Sequence, residues 1–311
     1  MSFENFSKDM LKNRLGHDLC TLLNDTSVLE IMLNCDGSLF VEKNGFISKI
    51  GFISSVKAHS VIRTMATIFD TEISYKNSIV SGHMPFFNAR FEGILPPLVK
   101  APSFTIRKHH KDLLTIDTLI LKNMLTKDEA SFLRKVIKER RSIIVAGATS
   151  SGKTTLVNAL INEIQTLCPN DRIISIEDTP ELLITQQNHI NLFTTDVSDM
   201  SLLLKESLRM RPDRIVVGEV RGSEALDLID AMSTGHKGGL CTVHAGSIEQ
   251  TLMRLVLLIS RNKNAPRFIE PFLVSALDLI VQLENKPTRH IASIAQDLMF
   301  NDSNFTYNKV F

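Results

Sequence analysis

Through the second half of the chain, short apolar runs take turns with amphipathic stretches. SIIVAGA (142–148), RIISIED (172–178), HINLFTT (189–195), RIVVGEV (214–220) and GGLCTVHAG (238–246) are β-branched and apolar. Between them, TTLVNALINEI, MSLLLKESLRM, SEALDLIDAM and IEQTLMRLVLLI repeat their apolar residues every three or four positions. Strands without polar alternation, interleaved with helices, predict a largely parallel sheet covered on both faces. FLVSALDLIVQL (272–283), interrupted by Asp278, reads as a buried helix followed by a strand.

The first part of the chain is patterned differently. LEIMLNCDGSLFVEKNGF (29–46) gives two short strands joined at Asp36-Gly37, a pair that supplies the positive φ of a tight hairpin. VKAHSVIRTMATIF (56–69) has helical spacing, and ARFEGIL (89–95) and SFTIRK (103–108) are two more strands. Pro96-Pro97 and Pro102 cannot donate to a sheet ladder and mark the connection between them. The polar, aperiodic run at His109-His110-Lys111-Asp112 places a linker over 109–114. It divides a mixed α/β domain (1–108) from an α/β domain with a parallel sheet (115–311). Thr126-Lys127-Asp128-Glu129 has capping-box spacing, and the helix it opens carries RKVIKERR, read as a solvated face.

Composition narrows the classes without choosing one. A length of 311 residues suits two domains. A content of 43% hydrophobic and 22% charged residues is that of an ordinary globular chain. A net charge of +1 gives no strong nucleic-acid footprint, and no tryptophan with only two tyrosines leaves few platforms on which bases stack. Both argue against a nucleic-acid helicase. The four cysteines, Cys20, Cys35, Cys168 and Cys241, form no C-x-x-C pair and point to reduced thiols and the cytosol. The start MSFENFSKDM lacks the basic and apolar regions of a signal peptide. No stretch reaches the ~18 apolar residues of a membrane helix, so work at a membrane would go through partners.

Gly147-Ala148-Thr149-Ser150-Ser151-Gly152-Lys153-Thr154 satisfies G-x-x-x-x-G-K-[ST], with a strand before it and a helix opening at Thr155. Glycines let consecutive N–H groups turn inward toward phosphate oxygens, and the helix presents its positive end there. Lys153 is placed to reach the β- and γ-phosphates, and the Thr154 hydroxyl to ligate Mg²⁺. A guanine-reading N-K-x-D is missing, since Asn262-Lys263-Asn264-Ala265 and Asn285-Lys286-Pro287-Thr288 both lack the aspartate; ATP is favoured.

Two further strands end in acid. Glu177 and Asp178 close one, at the edge where ligands of open parallel sheets bind. A carboxylate there orients or deprotonates water, or holds Mg²⁺. Ile215–Arg221 ends the other, with Gly218 in the usual place of a Walker B aspartate, so Glu219 takes the metal-side role. Arg209, Arg211 and Arg221 flank this strand; spacing does not choose among them, and Arg209 stands as the candidate catalytic arginine. His236 falls in a loop, and His244 near a strand end, where a neutral imidazole can sense the γ-phosphate.

GATSSGKTT, ISIEDTPEL, LRMRPDRIVVGEVRG and TGHKGGLCTVHAG together resemble the Walker A, Asp, Walker B and His boxes of the type II/IV secretion traffic ATPases, in that order. EIMLNCDGSLFVEKNG, ARFEGILPP and FTIRK extend the resemblance to the conjugal-transfer, TrbB-like branch. The resemblance implies a RecA-like P-loop domain behind a smaller N-terminal α/β domain, with ATP bound between them. It implies homo-hexameric rings on the cytoplasmic face of the inner membrane, partnered by secretion-system components and other ATPases. The activity would be ATP hydrolysis driving apparatus assembly or substrate transfer. By position, Glu177 would activate water, Glu219 would be the Walker B acid, and His244 the His-box residue. Arg90 and Arg107 would be the N-terminal arginines that approach the nucleotide. A pilus assembly or retraction motor shares the four boxes, and a nucleotide-dependent scaffold without turnover is the non-enzymatic alternative.

Overall fold

The computed structural model describes residues 3–43, 46–84, 86–108, 115–195 and 197–311, with side chains from residue 11 onward. The chain forms two compact units, Met1–Lys111 and Asp112–Phe311. The linker expected over 109–114 lies outside the described residues.

The first unit runs α1 (Phe3–Asn24), β1 (Val28–Leu33), β2 (Ser38–Lys43), β3 (Phe46–Phe52), α2 (Ser55–Ile68), β4 (Ile79–Met84), β5 (Ala89–Ile94) and β6 (Ser103–Lys108). Its sheet has the order β3-β2-β1-β6-β5-β4, and every neighbouring pair is antiparallel. The hairpin expected at Asp36-Gly37 joins β1 to β2. Gly37 has φ 85°, and a side chain there would start 2.3 Å from the Phe52 ring. Asp36 fixes the turn by accepting from the backbone N–H of Ser38 at 2.9 Å. Helix α1 breaks at Gly16, which has φ 81°. Leu15, Leu19, Ile31, Val41, Ile62, Met65, Phe91 and Ile106 form one core between helices and sheet. Sequence patterning missed α1, β3 and β4. Strand β3 is exposed along its whole length and therefore carries no alternation to read.

The second unit runs α3 (Ile116–Leu121), α4 (Lys127–Lys138), β7 (Ile143–Gly147), α5 (Lys153–Leu167), β8 (Ile173–Glu177), β9 (His189–Phe193), α6 (Met200–Leu208), β10 (Arg214–Val217), α7 (Ala225–Ser233), β11 (Leu240–Val243), α8 (Ile248–Ser260), α9 (Ile269–Ala276), β12 (Leu279–Glu284), β13 (His290–Asn301) and β14 (Asn304–Lys309). The sheet order is β14-β13-β12-β7-β11-β10-β8-β9. From β12 to β9 all pairs are parallel. Strands β13 and β14 add an antiparallel hairpin at one edge.

The unbroken apolar runs follow from burial on both faces. Ile144, Ala146, Ile215 and Val217 pack on the side of α6 to α9. Their neighbours Ile143, Val145 and Val216 pack on the side of α3, α4 and α5. Each strand thus feeds two cores through the period-two alternation of its side chains. The capping box is present: Thr126 Oγ1 accepts from Glu129 N–H, and the Glu129 carboxylate accepts from Thr126 N–H.

Candidate active site

Parallel strands deliver their C-terminal ends to one edge of the second unit. Gly147 ends β7 and Glu177 ends β8, while Gly218-Glu219 follow β10 and His244 follows β11. Residues scattered over a hundred positions in sequence are thereby gathered at the crevice of an open α/β sheet.

The loop from Gly147 to Thr154 is shaped by two left-handed residues, Ser150 at φ 61° and Gly152 at φ 95°. Glycine is also demanded at 147, where a Cβ would fall 2.3 Å from Ser151 Oγ. Ala148, Thr149 and Ser150 form the exposed crest. Gly152 caps α5 with no side-chain acceptor, which leaves the first-turn amides of α5 to an external anion. Ser151 Oγ is buried with no hydrogen-bond partner. Such a cradle fits a phosphate chain. The loop is braced from outside by two residues that the sequence reading did not single out. Arg289 Nε donates to Ser150 O at 2.9 Å, and Asn285 Nδ2 to Thr149 O at 3.5 Å.

Lys153 is buried at 8% exposure. Its ammonium donates to the carbonyls of Gly147 at 2.8 Å and Ala148 at 2.9 Å, and lies 3.2 Å from His244 Nδ1. His244 Nε2 is 3.1 Å from Glu219 Oε1, and Glu219 Oε2 accepts from Arg221 at 2.5 Å. Arg221 also lies 3.8 Å from Asp178. Lys153, His244, Glu219, Arg221 and Asp178 thus form one connected series of side chains. Burial, and next the Lys153 charge, hold the His244 imidazole below its ordinary range. The hydrogen-bond pattern then assigns the neutral tautomer: Nδ1 accepts from the ammonium and Nε2–H donates to the carboxylate. Burial likewise lowers the Lys153 ammonium, against the pull of Glu219.

The acids of 177–181 differ in burial and in partners. Glu177 is 3% exposed, and its Oε1 accepts from the backbone N–H groups of Glu181 and Leu182, both at 2.9 Å. Burial pushes its carboxyl up to about 7, overriding those two amides. Glu181, which the sequence reading did not name, lies half-buried, and its Oε2 accepts from Thr154 Oγ1 at 3.2 Å. The strand-end position of Glu177 drew attention to the first acid; only the turn back from β8 brings the second to the phosphate loop. Gly218 has a local reason as well, because a Cβ there would lie 3.2 Å from Glu177 Cγ. An aspartate at 218 would push into the buried carboxyl.

Arg209 is at the end of α6, paired with Glu206 at 3.2 Å and largely exposed, while Arg221 joins the carboxylates. His236 precedes β11 and therefore lies at the opposite sheet edge from His244, its amide on Ala231 O. That edge is held by Arg214, 1% exposed, whose Nε donates to Asp171 at 2.7 Å. Arg90 and Arg107 belong to the first unit. They face each other directly across β5 and β6, both exposed. Thr154, Glu181 and Glu219 offer oxygen donors at and near the loop, a kind of ligand that suits a hard cation such as Mg²⁺. Among the described residues no three His, Cys, Asp or Glu side chains form a ready metal cage.

A family model described as "Type II/IV secretion system protein" matches residues 16–308. The probable conjugal transfer protein TrbB of Sinorhizobium fredii is 41% identical over 92% of this chain and 88% of its own length. The type IV secretion system protein VirB11 of Brucella suis is 31% identical over 88% of this chain and 87% of its own. The crystal structure of the Brucella suis VirB11 ATPase in complex with sulphate superposes with a TM-score of 0.52 at 29% identity. It covers 94% of this chain and 96% of that one.

Proposed function

The chain belongs to the type II/IV secretion system protein family, and from that premise we propose that it hydrolyses ATP to drive a type IV secretion or conjugation apparatus. It works as a homo-hexameric ring at the cytoplasmic face of the inner membrane. Its partners are the membrane components of that apparatus and its other ATPases. Energy goes to apparatus assembly or to substrate transfer. The observation that carries the reading is the linked set Lys153–His244–Glu219–Arg221, assembled where the uncapped α5 and the phosphate loop open.

Amides of the 147–154 loop and of the first α5 turn, through Thr155, bind the phosphates. Lys153 exchanges its two loop carbonyls for the β- and γ-phosphates, a move that carries its charge away from His244. His244 then reads the state of the γ-phosphate and passes it to Glu219 through Nε2–H. Thr154, Glu181 and Glu219 would hold Mg²⁺, which neutralises charge developing on the transferred phosphoryl group. The sequence reading gave Glu177 the water-activating role. Its burial, and the two amides on its Oε1, favour a different division: Glu177 anchors the 178–182 turn, and Glu181 orients the attacking water. Arg221 supplies positive charge within the unit, while Arg209 is presented outward, toward a neighbouring copy. Arg90 and Arg107 are the candidates for nucleotide contact from the first unit.

Steady-state phosphate release with Mg²⁺ and ATP tests this reading. Lys153→Ala should lose ~10²-fold or more, the scale of removing one transition-state donor. Wild-type chain that binds ATP without releasing phosphate would establish the scaffold instead.

A further inference from the structure

Strand β3 is an edge of the six-stranded sheet, and it is undefended. Among the described residues it pairs only with β2, and all seven of its residues are exposed. Phe46 is 79% exposed, and Ile47, Ile50 and Phe52 are open beside it, with Val56 following in the first turn of α2. Natural sheets shorten, charge or cover such an edge, because its free N–H and C=O groups recruit another strand. Here one lysine, Lys49, is the only charge on the strand. The opposite edge, β4, is also apolar at its outer end. Tyr75, 82% exposed, stands in the turn entering it, and Ile79 begins it.

We propose that these two edges are the two halves of one head-to-tail interface, occupied by a second copy of this chain, with β3 of each copy adding to β4 of the next. Three observations favour this occupant. Six strands, all antiparallel, make β3 and β4 run in opposite directions. A neighbour in the same orientation therefore offers β4 antiparallel to β3, continuing the ladder with its helix-covered face aligned. Pairing β3 with itself in full overlap would set Lys49 against Lys49, a like-charge pair directly opposite. Strand β4, Ile79–Met84, carries no lysine or arginine. Finally, both edges expose apolar side chains, Phe46, Ile47, Ile50 and Phe52 on β3 and Tyr75 and Ile79 at the entry to β4, three of these six being aromatic. A heterologous contact of this kind generates a ring when its rotation closes.

The inference rests on the ring reading above and is read by mass rather than by turnover. Full-length chain is examined by light scattering with Mg²⁺ and a non-hydrolysable ATP analogue. One variant blocks β3 (Ile47→Asp with Ile50→Asp) and another blocks β4 (Tyr75→Asp with Ile79→Asp), all at exposed positions. Wild type should be a multi-subunit particle and each variant a monomer, while an equimolar mixture of the two should be a dimer. The dimer forms because one intact β3 still meets one intact β4, and its formation shows that both variants are folded. Either variant keeping the wild-type mass, or a mixture that stays monomeric, overturns the interface while leaving a ring in place. A monomeric wild type overturns the interface and the ring together, whatever its phosphate release.

Discussion

Glu177 and Glu181 are four residues apart, and burial separates their chemistry. Glu181→Gln should cut phosphate release ~10²-fold or more while leaving nucleotide binding in place. Glu177→Gln keeps an oxygen for the two amides and should hold turnover within a few-fold. Its signature is in stability. The Glu177 carboxyl titrates near 7 when folded, against an ordinary 4.5. The folded chain therefore holds a proton that the unfolded chain has lost, and stability falls as pH rises from about 4.5 to 7. The loss from this group is roughly 3 kcal/mol. In Glu177→Gln that part of the slope should vanish in denaturant unfolding measured across those pH values. An unchanged slope would mean that the carboxyl is not buried as described. The phosphate loop, Glu219 and His244 were legible in sequence because each follows a recognisable apolar strand. Glu181 was not, because its place beside Thr154 depends on a turn that no periodicity encodes.

At the scale of elements, strand β10 and strand β8 run so close that a side chain at residue 218 would press on Glu177, its Cβ 3.2 Å from Glu177 Cγ. Gly218→Asp would force a carboxylate against Glu177. It should lower stability by about 1–3 kcal/mol, seen as a reduced melting temperature, with a parallel loss of ATPase activity. A variant as stable as wild type would show that β8 and β10 can part. On α4, Thr126→Ala removes the acceptor for Glu129 N–H and should cost about 1 kcal/mol in denaturant unfolding. The strand–helix alternation of the second unit was readable because strands buried on both faces are apolar throughout. The hairpin of β13 and β14 was not read, because its turn, Asp302-Ser303, lacks the glycine that marks a tight hairpin. Asp302 and Ser303 both adopt positive φ, at 48° and 62°, as the two-residue turn between those strands requires. Asp297, also at positive φ, coincides with a register shift that blurs the alternation of β13.

For the whole molecule, sequence patterning gave a parallel sheet but not the order of its strands, which arises from packing between distant segments. That order brings β7 between β11 and β12, and so sets the phosphate loop beside His244 and the Asn285–Arg289 brace. Whether this edge is a triphosphate cradle is settled most directly by a crystal structure with Mg²⁺ and a non-hydrolysable ATP analogue. Lys153 should have left the carbonyls of Gly147 and Ala148 for the β- and γ-phosphate oxygens, with Thr154, Glu181 and Glu219 turned to the same side. A nucleotide bound elsewhere, or a lysine still on those carbonyls beside a bound nucleotide, would contradict the site.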